Sequence, residues 1–176
     1  MVQAIYTRYL KTPFGELILG SFREKLCLCD WRCRKARGSI DNRIRESLGA
    51  DFREAGTDVT GETQKQLEQY FEGERKNFDL PLLPVGSAFQ IRVWKALLEI
   101  PYGKTVSYAA LAERLGDVNA IRAAAAANGA NALAIIVPCH RVIGSDGRLT
   151  GYAGGIAVKK KLLRLEHAML QGELDL

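Results

Sequence analysis

The run Ile135-Ile136-Val137 ends on Pro138, and Cys139-His140-Arg141-Val142 follow at once. A compact apolar segment of β-branched type that stops at a breaker reads as a short buried strand. Pro138 has no N–H to continue a ladder and holds Val137 extended, so the strand should end there and the chain should turn. Cys139 would then stand at a strand end, where a side chain can face a cleft. A lone cysteine is more often a small buried hydrophobe. Successive strand residues also point to opposite faces, so His140 would reach Cys139 only across a turn or through a water. Whether the thiol is reactive depends on its surroundings.

The residues before this run divide into two kinds of pattern. Ala4 to Leu10, Glu16 to Leu19 and Lys25 to Trp31 read as strands, with Pro13 and Gly15 marking a turn between the first two. Residues 34–61 are polar and partly helical, and Thr63 is a candidate N-cap for a helix carrying Leu67, Tyr70 and Phe71. Pro81, Pro84 and Gly86 mark a linker, which gives a scaffold domain over 1–84 and a second domain over 85–176.

From Ser87 the pattern becomes helical. Ser87 can cap a helix with Phe89, Val93 and Leu97 on one stripe and Trp94 beside it. A second helix runs from Ser107 to Gly116, the glycine suiting the position that ends it. Asp117 or Asn119 can cap a third, from about Ala120 to Asn128. Two short helices joined at a glycine match the helix-turn-helix pattern. The third helix is nearly all alanine with Arg122 as its one long side chain, too few polar groups to read bases in the major groove. A sequence-neutral contact with the minor groove fits it better. A glycine-rich loop from Gly144 to Gly155 leads to a last helix, from about Ala157 to Met169, with Val158, Leu162, Leu165 and Met169 as its stripe. Glu166 sits at the border of that stripe, paired with Lys159 or Lys160, or turned inward to orient a buried histidine.

Charge adds little. Lys and Arg stand against Asp and Glu as 14 to 13 over residues 1–84 and as 11 to 7 over 85–176. A mildly basic second half is compatible with a phosphate-bearing partner and does not prove one. No apolar run approaches a membrane span, and the N-terminal residues lack a secretion signal, so a cytoplasmic protein is expected. Four cysteines at 27, 29, 33 and 139 in such a compartment are expected to stay reduced. Cys27, Cys29 and Cys33 have no histidine nearby and lack the paired spacing of a zinc site, so no metal is expected.

Several motifs fall in a fixed order: Phe89-Gln90-x-x-Val93-Trp94-x-Ala96-Leu97, Ile100-Pro101-Tyr102-Gly103, Val106-Ser107-Tyr108-x-x-Leu111-Ala112, Arg122-Ala123, Asn131, Pro138-Cys139-His140-Arg141-Val142 and Gly151-Tyr152-x-Gly154-Gly155 through Leu162-Leu163-x-x-Glu166. Together they resemble the O6-alkylguanine-DNA alkyltransferases, also called methylated-DNA–protein-cysteine methyltransferases. The strong match covers residues 87–166; before it only Thr12-Pro13-Phe14-Gly15 and the layout are similar.

The resemblance implies an α+β chain: a small N-terminal sheet-and-helix domain of ribonuclease-H-like type, then a mostly helical domain with a helix-turn-helix of winged-helix type. It implies that Cys139 takes the alkyl group from guanine O6, or from O4-methylthymine, and keeps it, so that each molecule acts once. His140 would act as base through a water, Glu166 would orient it, and Asn131 would shape the turn. Arg122 would fill the space left by a flipped base, on a helix whose Ala123 and Ala124 also meet DNA. Tyr108 would contact the rotating phosphate, and Arg141 the DNA. Tyr152, Ser145, Ala153, Val142 and Lys159 would form the base pocket, with Tyr108 or Tyr152 giving a proton to the departing guanine. No cofactor is implied, the partner is duplex DNA bound without strong sequence preference, and the protein is expected to be a monomer. It would associate with the nucleoid when on DNA, or be nuclear in a eukaryotic source.

Two positions depart from the family pattern. Ala132 stands where proline is common, and Ala124-Ala125 where Val-Gly is usual. Three other readings remain at this point: a damage-binding relative without transfer, a helix-turn-helix regulator, and a cysteine hydrolase that turns over repeatedly.

Overall fold

The computed structural model describes residues 3–168. It divides into two compact units, Met1–Gly86 and Ser87–Leu176.

The first unit is built on a four-stranded sheet. Strands β1 (Ala4–Thr12), β2 (Gly15–Phe22) and β3 (Lys25–Trp31) form an antiparallel meander. The β1–β2 turn is closed by Thr12, whose hydroxyl donates to the Gly15 carbonyl at 2.6 Å and accepts from the Phe14 N–H. Helix α1 (Arg37–Leu48) then leads to β4 (Asp51–Glu54), which runs parallel to β1 at the far edge and gives the order β3-β2-β1-β4. The sequence Asp51-Phe52-Arg53-Glu54 has no apolar alternation, which is why β4 was not expected.

Helix α2 (Asp58–Phe71) packs across β1, β2 and β3 and buries Leu67 and Tyr70. Its cap is Thr57, not Thr63. The Thr57 hydroxyl accepts from the Thr60 N–H while the Thr60 hydroxyl accepts from the Thr57 N–H. Thr63 lies within the helix and donates to the Val59 carbonyl. A threonine filling the third position hid the cap, because that reciprocal arrangement usually carries Glu or Gln there. The expected linker is partly structured: Pro81 and Leu83 bond the Leu26 backbone on the free edge of β3 at 2.8 Å each. Cys27 and Cys29 are buried in β3, where burial pushes the Cys27 thiol up to about 12 and the Cys29 thiol further up.

The second unit opens with α3 (Ala88–Leu98), capped by Ser87 as expected, with Gln90 completing a reciprocal box. The Trp94 indole N–H donates to the Ala127 carbonyl at 2.8 Å. After β5 (Val106–Ser107), the Ser107 hydroxyl caps α4 (Tyr108–Arg114), and Gly116 ends it at φ +86°. Helix α5 (Ile121–Gly129) packs on α3 and α4. Neither Asp117 nor Asn119 caps α5. Asp117 instead accepts from the Asn119 N–H in a tight turn, and Ala120 is the residue before the helix, with no side-chain cap.

The run before Cys139 is not a strand. Residues 133–137 form turns closed by Ile136 N–H to Ala134 and Val137 N–H to Leu133, and Cys139–Arg141 is a single 3-10 turn. Ile135 stands at φ +71°, a left-handed conformation that costs a β-branched residue roughly 1–3 kcal/mol. Only β6 (Val142–Ile143) is extended, pairing in parallel with β5. The apolar run is buried as read, but burial alone does not distinguish strand from turn. The last helix, α6 (Ile156–Leu165), ends one residue before Glu166, and Met169 lies outside the described residues.

Candidate active site

Asn131 builds the turn that carries the cysteine. Its side-chain oxygen accepts from the Leu133 N–H at 3.0 Å, and its amide donates to the Val137 carbonyl at 2.9 Å. One side chain thus closes both ends of the bend, and Pro138 then starts the 3-10 turn in which Arg141 N–H bonds the Pro138 carbonyl. Cys139 is 5% exposed.

The next two residues share one carboxylate. His140 Nε2 lies 2.7 Å from Glu166 Oε1. Arg141 donates from Nε to Oε2 at 2.9 Å and from Nη2 to Oε1 at 3.0 Å, while its Nη1 donates to the Ile100 carbonyl at 2.6 Å. Glu166 reaches this point from the end of α6, and Gly103 allows it: a Cβ there would sit 2.9 Å from the Glu166 carbonyl. Burial pushes the Glu166 carboxyl up, but the His140 bond and the Arg141 charge outweigh it and hold the group well below the usual range. Burial pushes the His140 imidazole down against the pull of Glu166. His140 Nδ1 is buried with no hydrogen-bond partner.

A buried lysine closes the other side. Lys159 donates from Nζ to the Val142 carbonyl at 2.6 Å and to the Thr150 carbonyl at 3.0 Å, with Gly151 at 3.4 Å. Burial brings its amine down to about 8. This pins the glycine loop to β6. Lys159→Met is therefore expected to speed amide hydrogen exchange across residues 144–151 and leave α6 unchanged. Unchanged loop exchange would mean that the loop holds itself.

The other expected site residues fall into two groups. Arg122 and Ala123 are exposed at the start of α5, Ser145 is exposed in the loop, and Tyr152 and Ala153 are half-buried. The Tyr152 ring lies 6.5 Å from that of His140. Tyr108 donates its hydroxyl to the Thr150 carbonyl at 3.2 Å. Four of the expected contact residues are buried. Ala124 is fully buried and packs in α5, so its side chain is not on the exposed face that carries Arg122 and Ala123. Arg141 is 6% exposed and committed to Glu166 and Ile100, so it is an internal ion-pair partner, not a DNA contact. Val142 and Lys159 have no exposed surface, and Lys159 is committed to the Val142 and Thr150 carbonyls. Glu166 pairs with His140 and Arg141, not with Lys159 or Lys160.

Sequence reasoning missed Asn128, buried at the end of α5, whose amide lies 3.4 Å from the Cys139 carbonyl. A polar residue closing an alanine helix was the available signal. Among the described residues no group of three or more His, Cys, Asp or Glu is placed to hold a metal ion, and no helix is long and apolar enough to cross a membrane.

A cysteine followed in the chain by a buried imidazole–carboxylate pair, on a unit whose α4–α5 pair offers an exposed arginine, is the arrangement of a protein whose chemistry centres on a thiol. Residues 5–84 match the family described as 6-O-methylguanine DNA methyltransferase, ribonuclease-like domain, and residues 88–168 match its DNA binding domain, so the chain belongs to that family. A methylated-DNA–protein-cysteine methyltransferase of Methanosarcina barkeri is 44% identical over 167 residues, 95% of this chain and all of that one. The protein of that name from Mycobacterium tuberculosis is 55% identical over 111 residues, 63% of this chain and 67% of the relative. The crystal structure of Mycobacterium tuberculosis OGT in complex with DNA superposes with TM-score 0.79 at 40% identity, over 92% of each chain. The Pyrococcus kodakaraensis O6-methylguanine-DNA methyltransferase, 23% identical at TM-score 0.63 over 92% of this chain and 98% of that one, shares the fold.

Proposed function

We propose that this chain repairs alkylated DNA by moving the alkyl group of O6-alkylguanine, chiefly methyl and with O4-methylthymine as a second substrate, onto Cys139. The observation that carries the reading is the buried His140–Glu166 pair directly after Cys139, in a chain of this family. The thiol proton passes to His140 Nδ1 through a water, leaving a thiolate, since the thiol itself is a weak nucleophile. Sulfur attacks the alkyl carbon, the C–O6 bond breaks with its electron pair going to the guanine, and the base takes up a proton, from Tyr108 or Tyr152. The thioether is not hydrolysed, so one molecule performs one transfer.

The target base must leave the stack, at a cost of a few kcal/mol. Arg122, exposed at the start of α5 with Ala123 beside it, is suited to fill the gap from the minor groove, because small neighbours let the helix backbone come close. Tyr108 at the start of α4 is placed for the rotating phosphate. Tyr152, Ser145 and Ala153 would receive the base. The protein would work as a monomer in the cytoplasm on chromosomal DNA.

The test is intact mass after mixing with a slight excess of an O6-methylguanine oligonucleotide. One methyl located to Cys139, absent in Cys139→Ser, is the expected result. Lesion loss over many turnovers without mass gain would point to a hydrolase, and lesion binding without mass gain to a damage-binding protein.

A further inference from the structure

We infer that Arg141 is a positioning residue for His140: by holding both oxygens of Glu166, it keeps the carboxylate a pure acceptor and so fixes the imidazole neutral, with its proton on Nε2 and its lone pair on Nδ1. The inference rests on the reading of Cys139 as the acceptor, and it names the residue that prepares the base.

The geometry is specific. Both Glu166 oxygens take Arg141 donors, at 2.9 and 3.0 Å, so the carboxylate is met by a two-pronged guanidinium and remains ionised. An ionised carboxylate only accepts, so the 2.7 Å contact to His140 must be a bond donated by Nε2–H. The fork is itself anchored, since Arg141 Nη1 is held by the Ile100 carbonyl at 2.6 Å. Nδ1, buried and without a partner, is left with its lone pair.

The charges around the ring favour the same state. His140 is fully buried, and the groups acting on it are Glu166, Arg141 and Lys159, two cations to one anion, with the Tyr152 ring at 6.5 Å and Cys139 next in the chain. A second proton on the ring would add a third cation to one carboxylate. Burial is the largest cause that keeps the ring neutral; without Arg141 one cation fewer would oppose the second proton, and the imidazole would take it up at a higher pH.

The ring nitrogens can be read directly by 15N NMR on the protein without DNA. The chain has two histidines, His140 and His167, so His167→Gln completes the assignment. Wild type is expected to show a protonated Nε2 and a bare Nδ1, unchanged between about pH 5 and 8, where an ordinary histidine titrates. Arg141→Gln is expected to bring the His140 titration into that window, and Arg141→Lys, which keeps the charge, to leave it outside. A folded Arg141→Gln whose His140 does not titrate there would reduce Arg141 to packing. If that variant does not fold, Arg141→Met gives the same reading. A wild-type spectrum with the proton on Nδ1, or on both nitrogens, overturns the proposal whatever the variants do. The wrong tautomer with normal methyl uptake would sink this inference alone, and the right tautomer with no uptake would sink only the functional reading.

Discussion

Glu166→Gln is expected to destabilise the protein by about 3–5 kcal/mol, the usual cost of removing one partner from a buried ion pair. The change leaves the Arg141 guanidinium buried at 6% exposure without a counter-charge, and it lets an amide donate where only acceptance fits. Urea unfolding should show a lower midpoint at unchanged slope. Methyl uptake measured under single-turnover conditions should slow as well, because His140 loses the group that orients it. A loss under about 1 kcal/mol would place this ion pair with exposed ones, and the site would not be organised around Glu166.

The same residue gives a pH dependence of definite sign. The Glu166 carboxyl is lower in the folded chain than in the unfolded one, so folding releases a proton there. Its contribution is present above the unfolded carboxylate value, about 4.3, and is lost as pH falls below that toward the folded value. Wild type should therefore lose stability on acidification more steeply than Glu166→Gln over that range. Parallel acid limbs for the two proteins would contradict the assignment.

Asn131→Ala is expected to cost stability by a different route. It leaves the Leu133 N–H buried without its bond, at roughly 1–3 kcal/mol, while the Val137 carbonyl keeps the Cys139 N–H and loses its second donor. It also frees the bend that sets Cys139, so methyl uptake should fall more than stability alone explains. Asn131→Asp separates the two bonds: it can accept from Leu133 but cannot donate to Val137, and should land between wild type and alanine. Equal losses for both variants would mean that the Val137 bond alone carries the turn.

Much of this was legible before any coordinates. Local chemistry marks the Ser87 cap, the Gly116 stop and the first three strands, because each is decided by residues close in sequence. The errors have a common origin. The Ile135-Ile136-Val137 run was read as a strand because β-branched residues favour one, yet the Asn131 side chain bends it into turns. Arg141 is assigned to DNA through the resemblance alone. Its burial depends on a carboxylate 25 residues further on, which no local pattern reveals. The position of Glu166 at the border of a stripe was visible, and two partners were weighed for it; only the fold could choose His140.

The placement of Glu166 has one further consequence. The thiol and imidazole are neighbours in the chain, but the carboxylate that orients the imidazole arrives only when α6 docks against the turn at Cys139–Arg141. A nascent or partly unfolded chain therefore carries its cysteine without the group that makes it useful. The orientation of the imidazole thus depends on a tertiary contact, which works as a safety catch. A protein that can spend its sulfur only once gains from this, since an unassembled copy is spared from stray alkylating agents until it can recognise DNA.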